Sequence, residues 1–148
     1  MVMTTSTPGA APDFDPADPL HTDQDVLRRL GCLLDQDSRR QRSVWLLFLS
    51  RDGVQLPVVV PIDDVPERPD PLVVGNLCGV VADVLADAAP GGSAVVTLTR
   101  PGSETVNDTD RYWFRALYGG AREHGASIRM VCLATQAGIR QLTLDDAG

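Results

Sequence analysis

The order of apolar and polar positions along the chain predicts three helices and five strands. Apolar residues that recur every three to four positions indicate amphipathic helices, and short continuous apolar runs between turn residues indicate strands. The predicted helices cover 22–34, 72–89 and 108–124, and the predicted strands cover 44–49, 54–62, 94–99, 128–134 and 139–144. Because hairpins and helices alternate, the order favours an α/β (α+β) fold with a single mixed β-sheet of about five strands flanked by three helices.

Two of the strands carry further information about the sheet. The run Val44–Leu49 has no polar residue, which predicts a strand that is buried on both faces. The next strand contains Pro57 and Pro61, and neither residue has a backbone N–H for a ladder hydrogen bond. That strand is therefore expected at an edge of the sheet or with an irregular ladder.

Residues at the ends of the helices match known capping signals. Thr22 and Asp25 have the spacing of a capping box before the first helix, and Asn107 or Asp108 can cap the third helix. Gly125 follows the third helix at the position where a left-handed residue commonly ends a helix.

The length of 148 residues fits one domain with a core of its own. Residues 1–21 are rich in Pro, Thr, Ala and Asp and are predicted to form a disordered acidic arm, which leaves residues 22–148 as a single domain. Five of the seven net negative charges lie in residues 1–25, so the other 123 residues carry a net charge of −2. A nearly neutral domain lacks the basic excess that drives phosphate-backbone binding, and nucleic acid is not an expected partner.

All thirteen basic side chains are arginines, and the chain contains no lysine. A Schiff-base or pyridoxal lysine, a phosphate-loop lysine and a lysine general base are therefore excluded, since each needs a lysine amine. The three cysteines, Cys32, Cys78 and Cys132, are widely spaced and form no Cys-x-x-Cys pair, which argues against a disulfide framework and a zinc knuckle. Unpaired cysteines are typical of the reducing cytoplasm, and we therefore expect a cytoplasmic protein. We expect no contact with membranes, because the sequence shows no leader pattern and no membrane-spanning run.

The segment that follows the fourth predicted strand is the best candidate for a site. Ligands in α/β sheets bind beyond the carboxyl ends of strands, where a helix N-terminus also points its N–H groups. This segment contains a cation, a glycine, a hydroxyl group and a carboxylate, and the candidates for an anion or small ligand are Arg100, Gly102, Ser103, Asp110 and Arg111. The alternative is a purely structural loop, in which Pro101-Gly102 turns the chain and Arg100 pairs with a nearby acid.

The same segment resembles the JAB (MPN-type) domain, and most closely its bacterial RadC-like branch. The resemblance covers roughly residues 43–144 and lies in the element order and in an apolar strand, a Pro-Gly loop and an Asn-x-x-Asp helix start. Active members of that family have a His-x-His-Pro-Ser-Gly segment followed by Ser-x-x-Asp. Their two His and the Asp bind zinc, and the zinc-bound water attacks an isopeptide or amide bond with help from a Ser and an upstream Glu.

The resemblance implies that the zinc site has degenerated. Leu98 and Arg100 stand where the two His would be, and Asn107 stands in place of the Ser. Asp110 matches the Asp and is the one ligand that survives, whereas a catalytic zinc needs three protein ligands. The Glu that precedes the segment, Glu67, lies in a proline-rich loop. No metal, cofactor or catalytic residue is therefore assigned, and the resemblance favours a pseudoenzyme.

The remaining candidates belong to a surface and to the core. The third helix carries Arg115, Tyr118 and Arg122 on a basic face, which is either a solvated face or an interface for an acidic partner. His124 is expected to interact with the C-terminus of its helix, and the three cysteines are expected to be buried.

Two functional hypotheses follow from these observations. The first is a non-catalytic JAB-like module that acts through a protein partner or by homodimerisation. The second is a small-molecule or anion-binding protein, or an enzyme, with its site in the loop and helix start from Arg100 to Arg111. The second hypothesis requires a cavity at Arg100.

Overall fold

The computed structural model describes residues 2–3, 15, 17–143 and 145. The helices are α1 (Asp23–Leu33), α2 (Pro71–Ala88) and α3 (Asp108–His124), with a single 3-10 turn at Ser38–Arg40. The strands are β1 (Val2–Met3), β2 (Ser43–Leu49), β3 (Gln55–Asp63), β4 (Ser93–Thr99), β5 (Ile128–Thr135) and β6 (Gly138–Leu142). Each predicted helix and strand is present, and the boundaries agree to within about two residues where the residues are described.

The strands form one mixed sheet in the order β1-β3-β2-β4-β5-β6. β4 and β5 are parallel and are joined through α3, while every other neighbouring pair is antiparallel. A parallel pair requires such a crossover, whereas the hairpins need only short turns. The predicted fold class, one mixed sheet of about five strands with three helices, is confirmed. The two-residue β1 adds a short sixth strand, because Val2 and Met3 pair with Asp63 and Ile62.

Both faces of the sheet are covered. Val44, Leu46 and Phe48 of β2 point into a core that is shared with α2 and α3. Leu47 and Leu49 point to the opposite face, where α1 packs over them. The alternation of side chains along a strand explains why an uninterrupted apolar run was needed here.

β3 lies near the sheet edge, as its prolines predicted. Among the described residues, the one strand beyond it is β1, which pairs with the last two residues of β3. The ladder with β2 also shifts register between Leu47 and Leu49. Pro57 falls within this irregular stretch of the ladder, whereas Pro61 lies opposite Trp45 of β2.

The N-terminal arm is described only in part. Residues 1, 4–14 and 16, which make up most of the segment predicted as disordered, lie outside the described residues. The end of the arm is attached to the domain, since Leu20 is buried and its N–H donates to the Gly53 carbonyl oxygen at 2.8 Å. The buried Arg29 also donates to the carbonyl oxygens of Asp15 and Asp18, at 3.2 and 3.4 Å.

Among the described residues, α2 is the one helix long and apolar enough to cross a membrane. It has 18 residues, of which 28% are buried inside the protein. The buried ones, such as Leu77 and Val81, pack in the core between the sheet and α3. α2 therefore packs one side into the core, and most of its residues are not buried inside the protein.

Adjacent glycines in α3 should respond in opposite ways to substitution by alanine. A Cβ at Gly119 would meet nothing within 4 Å, whereas a Cβ at Gly120 would lie 2.9 Å from Cys78 Sγ and 3.0 Å from Val74 Cγ1. Gly119→Ala is expected to raise the free energy of unfolding by about 0.5–1 kcal/mol, because alanine loses less backbone entropy in a helix. Gly120→Ala is expected to lower it by about 1–2 kcal/mol, because α2 must move away. Urea unfolding of both variants measures this difference, and a gain in both would show that α2 and α3 are not in close contact at Gly120.

Candidate functional site at the carboxyl end of β4

The loop after β4 is shaped by a turn and by a helix cap. Gly102 has a φ of +101°, a conformation that residues with a side chain rarely adopt. Asn107 caps α3: its side chain accepts the Asp110 N–H at 2.9 Å, and Asp110 Oδ2 accepts the Asn107 N–H at 3.0 Å. This capping box places the Asp110 carboxylate at the start of α3, facing the end of β4.

Arg100 and Asp110 form a buried, bidentate ion pair. Arg100 Nε donates to Asp110 Oδ1 at 2.9 Å, and Arg100 Nη2 donates to Asp110 Oδ2 at 2.8 Å. The residues are 5% and 2% exposed. Two parallel charge-assisted hydrogen bonds give such a pair both strength and a defined geometry.

The other N–H groups of Arg100 bind the loop that surrounds it. Nη1 donates to the carbonyl oxygens of Pro101 and Ser103 at 3.0 and 2.9 Å, and Nη2 donates to that of Thr105 at 3.0 Å. A guanidinium has five N–H donors, and all five are used here. Arg100 therefore has no donor left for an anion and acts as the centre around which the loop folds.

The cavity at this pair is too small for a ligand. Its volume is about 10 Å³, and its wall includes Leu98, Thr99, Arg100, Asp110 and Trp113. Ligand sites usually have volumes of about 300–1,000 Å³, whereas about 10 Å³ holds at most one water molecule. The cavity that the anion-site hypothesis required at Arg100 is not there.

The other predicted ligand residues do not converge on a common point. Gly102 and Ser103 are exposed, and the Ser103 hydroxyl oxygen accepts the Thr105 N–H at 3.3 Å. Arg111 forms an ion pair with Asp108 at 2.9 Å, within the first turn of α3. The structure thus brings together Arg100 and Asp110 and places the other three candidates around them, in the arrangement of the structural alternative.

The zinc site of the resembled family does not fit these residues. Both carboxylate oxygens of Asp110 accept hydrogen bonds from Arg100. Leu98, which stands where the resembled family has the first His ligand, is buried and apolar. No group of three or more His, Cys, Asp or Glu side chains that could hold a metal occurs among the described residues. The positive charge that faces Asp110 here is a guanidinium.

Buried polar groups extend the site along one edge. Thr99 Oγ1 donates to the Gln41 carbonyl oxygen at 2.6 Å and shares a short hydrogen bond with Ser43 Oγ. Trp113 Nε1 donates to the carbonyl oxygen of Glu67 at 3.0 Å, which ties the loop before α2 to α3. No sequence pattern pointed to these long-range contacts.

The buried arginine Arg29 was also missed. Its Nη1 donates to Gln55 Oε1 at 2.5 Å, and its burial lowers its pKa. The signal was present in the sequence, since Arg29 follows Val26 by three positions and therefore lies on the buried stripe of α1.

The cysteines divide into two groups. Cys78 and Cys132 are buried as expected, and burial raises the pKa of both thiols, that of Cys132 to about 12. They are therefore neutral thiols at physiological pH. The expectation that Cys32 is buried was wrong, because α1 turns its buried stripe of Val26, Arg29 and Leu30 toward the sheet and leaves Cys32 exposed.

His124 is the last residue of α3, and Gly125 follows it in the predicted left-handed conformation, with φ 66°. The His124 side chain lies against α2, since Cβ atoms at Gly75 and Gly79 would be 3.7 and 3.9 Å from its ring nitrogens.

The predicted interface residues lie in one stripe on the outer face of α3. Arg115 and Arg122 are exposed, and Tyr118 between them is 37% exposed. The Tyr118 ring packs on Phe114 with a centroid distance of 4.8 Å, and partial burial raises its pKa. We call Arg115, Tyr118 and Arg122 the α3 stripe.

No protein-family model matches this chain, and neither a curated protein nor a solved structure matches it.

Proposed function

We propose that this protein is a non-catalytic module of the JAB (MPN-type) kind, most similar to the RadC-like branch, that acts by binding a partner protein. The observation that carries the proposal is the buried Arg100–Asp110 pair. At the position where the resembled family holds a metal cation against its Asp, this chain holds a guanidinium instead.

A guanidinium in place of the metal cation preserves the fold but cannot support metal-dependent hydrolysis. A metal cation can polarise a bound water, whereas a guanidinium remains protonated and has no exchangeable ligand position. Arg100 supplies the positive charge that Asp110 needs and, through its backbone contacts, the order of the loop. Such a module can retain its fold while its function depends on its surface.

The α3 stripe is the surface that we assign to the partner. Arginine and tyrosine are enriched at protein interfaces, and an aromatic ring between two guanidiniums offers both apolar contact and charge. The complementary partner surface is acidic. Because the three cysteines are free, we also propose that the protein works in the reducing cytoplasm.

Homodimerisation is the second candidate, and the sheet edge favours it. β6 is a five-residue strand that has β5 on one side and, among the described residues, no strand on the other. An unpaired edge can add a strand from a second copy, whereas the proline-containing β3 edge pairs poorly. Sedimentation equilibrium distinguishes the two candidates, since only the second one requires a dimer of the isolated protein.

The partner proposal predicts a charge-dependent interaction. In cells that express the full chain, the protein cross-linked to it should be recovered at least about tenfold less with Arg115→Glu/Arg122→Glu, because two favourable ion pairs become repulsive. Arg40→Glu is the matched control, because Arg40 is exposed on another part of the surface and pairs only weakly with Asp37, at 4.0 Å.

Two results would contradict the proposal. Recovery of the same partner by the α3 double variant would exclude the α3 stripe as its binding surface. Stoichiometric zinc in protein purified without chelator, lost on Asp110→Asn, would show that the module is a metalloprotein after all.

A further inference from the structure

A polar cleft lies at the opposite end of β4 from Arg100. Its volume is about 370 Å³, within the range of about 300–1,000 Å³ that is usual for ligand sites. Four separate segments form it: the end of the arm, the β2–β3 turn, the first residue of β4 and the start of β5. The lining residues used below are His21, Ser50, Arg51, Ser93 and Arg129.

Arg51 presents to this cleft a guanidinium that forms no hydrogen bond or ion pair with any residue in the described part of the chain. The side chain lies over the turn before β4, where a Cβ at Gly91 would be only 2.7 Å from Arg51 Nε. The missing side chain at Gly91 therefore leaves the space that the guanidinium occupies.

Arg129 brings a second guanidinium to the same cleft from β5. Its Nη1 donates to Asp23 Oδ1 at 2.7 Å, and the Arg129 side chain is 30% exposed. The pair with Asp23 holds the side chain in place and uses one of its five N–H donors. Asp52 on the turn is the acidic lining residue, and it is exposed.

Two hydroxyls and an imidazole complete the lining. The Ser50 oxygen accepts the Val54 N–H at 3.1 Å, which leaves the hydroxyl hydrogen of Ser50 free to donate. Ser93 contributes a second hydroxyl and His21 an imidazole. Polar side chains thus come from all four segments that line the cleft.

We infer that this cleft binds the phosphate group of a small phosphate monoester. A phosphate monoester has three terminal oxygens and nearly two negative charges at neutral pH, so it can accept bonds from two guanidiniums and two hydroxyls together. A carboxylate has one charge and two oxygens in a plane, and it matches fewer of these donors. The site is independent of the proposed function, since it shares no residue with the α3 stripe or with the Arg100 loop.

Titration of the full chain with inorganic phosphate and with glycerol 3-phosphate, followed by amide chemical shifts, tests this inference. Saturable shifts are expected for Ser50, Gly53, Ser93 and Arg129. Acetate at the same ionic strength should bind at least about tenfold more weakly, and chloride should cause no saturable shift.

Arg51→Gln should raise the phosphate Kd at least about tenfold, because it removes a charge-assisted donor. Its thermal midpoint should change little, because Arg51 is exposed and forms no hydrogen bond or ion pair with a described residue, and Arg40→Gln is the matched control with unchanged Kd. The inference is overturned if phosphate causes no saturable shift, if acetate binds as tightly, or if Arg51→Gln binds phosphate as the unmodified chain does.

Discussion

Replacement of Asp110 with alanine should lower the free energy of unfolding by about 3–5 kcal/mol, one of the two largest losses that we expect from a single substitution in this protein. Arg100 is 5% exposed and would keep its charge without the carboxylate that compensates it. The capping box of α3 would be lost as well, which adds about 1 kcal/mol to the loss. Chemical denaturation monitored by circular dichroism measures the change.

Asp108 provides the control for this prediction, because it lies on the same helical turn and also pairs with an arginine. Its side chain is 81% exposed, so Asp108→Ala should cost no more than about 1 kcal/mol. The small loss at Asp108 should shrink further in high salt, whereas the loss at Asp110 should not. Equal losses in the two variants would mean that Arg100 finds water or another partner when Asp110 is absent.

Trp113→Ala should also lower the free energy of unfolding by about 3–5 kcal/mol. Trp113 is 2% exposed, packs in the core beneath α2 and forms part of the wall behind Arg100 and Asp110. Its removal leaves a cavity beside a buried ion pair and also frees the Glu67 carbonyl oxygen.

Trp113→Phe separates the two contributions. Phenylalanine keeps most of the buried apolar surface and loses the hydrogen bond to Glu67, which is worth about 0.5–1.5 kcal/mol. The alanine variant should therefore be the less stable by at least about 2 kcal/mol. If the two variants unfold at the same urea concentration, packing of the indole does not determine the stability of this region.

The buried pair changes how the region at the end of β4 is understood. Its residue types, a cation, a glycine, a serine and an acid, are those of an anion site, but every N–H donor of Arg100 is used within the protein. The polar cleft at the other end of the strand has the opposite character, since its Arg51 is not bound to a described residue. Residue type alone does not distinguish an arginine that builds a loop from one that is available to a ligand.

The elements of this fold were predictable because each one has its own local signal. The apolar run of β2, the prolines of β3 and the capping residues Thr22, Asn107 and Gly125 act over a few neighbouring positions. The buried face of α1 was also contained in the pattern, although the buried Arg29 was overlooked and Cys32 was wrongly expected to be buried. The error at Cys32 follows from judging a residue by its type rather than by its helical phase.

The sequence by itself therefore determined the helices and strands, the fold class and the residues at the start of α3 that could cap the helix or pair with Arg100. These features depend on periodicity and on contacts within one turn. Only the tertiary structure decided how the elements are used. The crossover through α3 brings Asp110 back onto Arg100, and the docking of the arm places His21 in the lining of the same cleft as Arg51 and Arg129. The physical reason is that hydrogen-bond saturation and cavity volume depend on groups that are far apart in the chain and meet only when the sheet has formed.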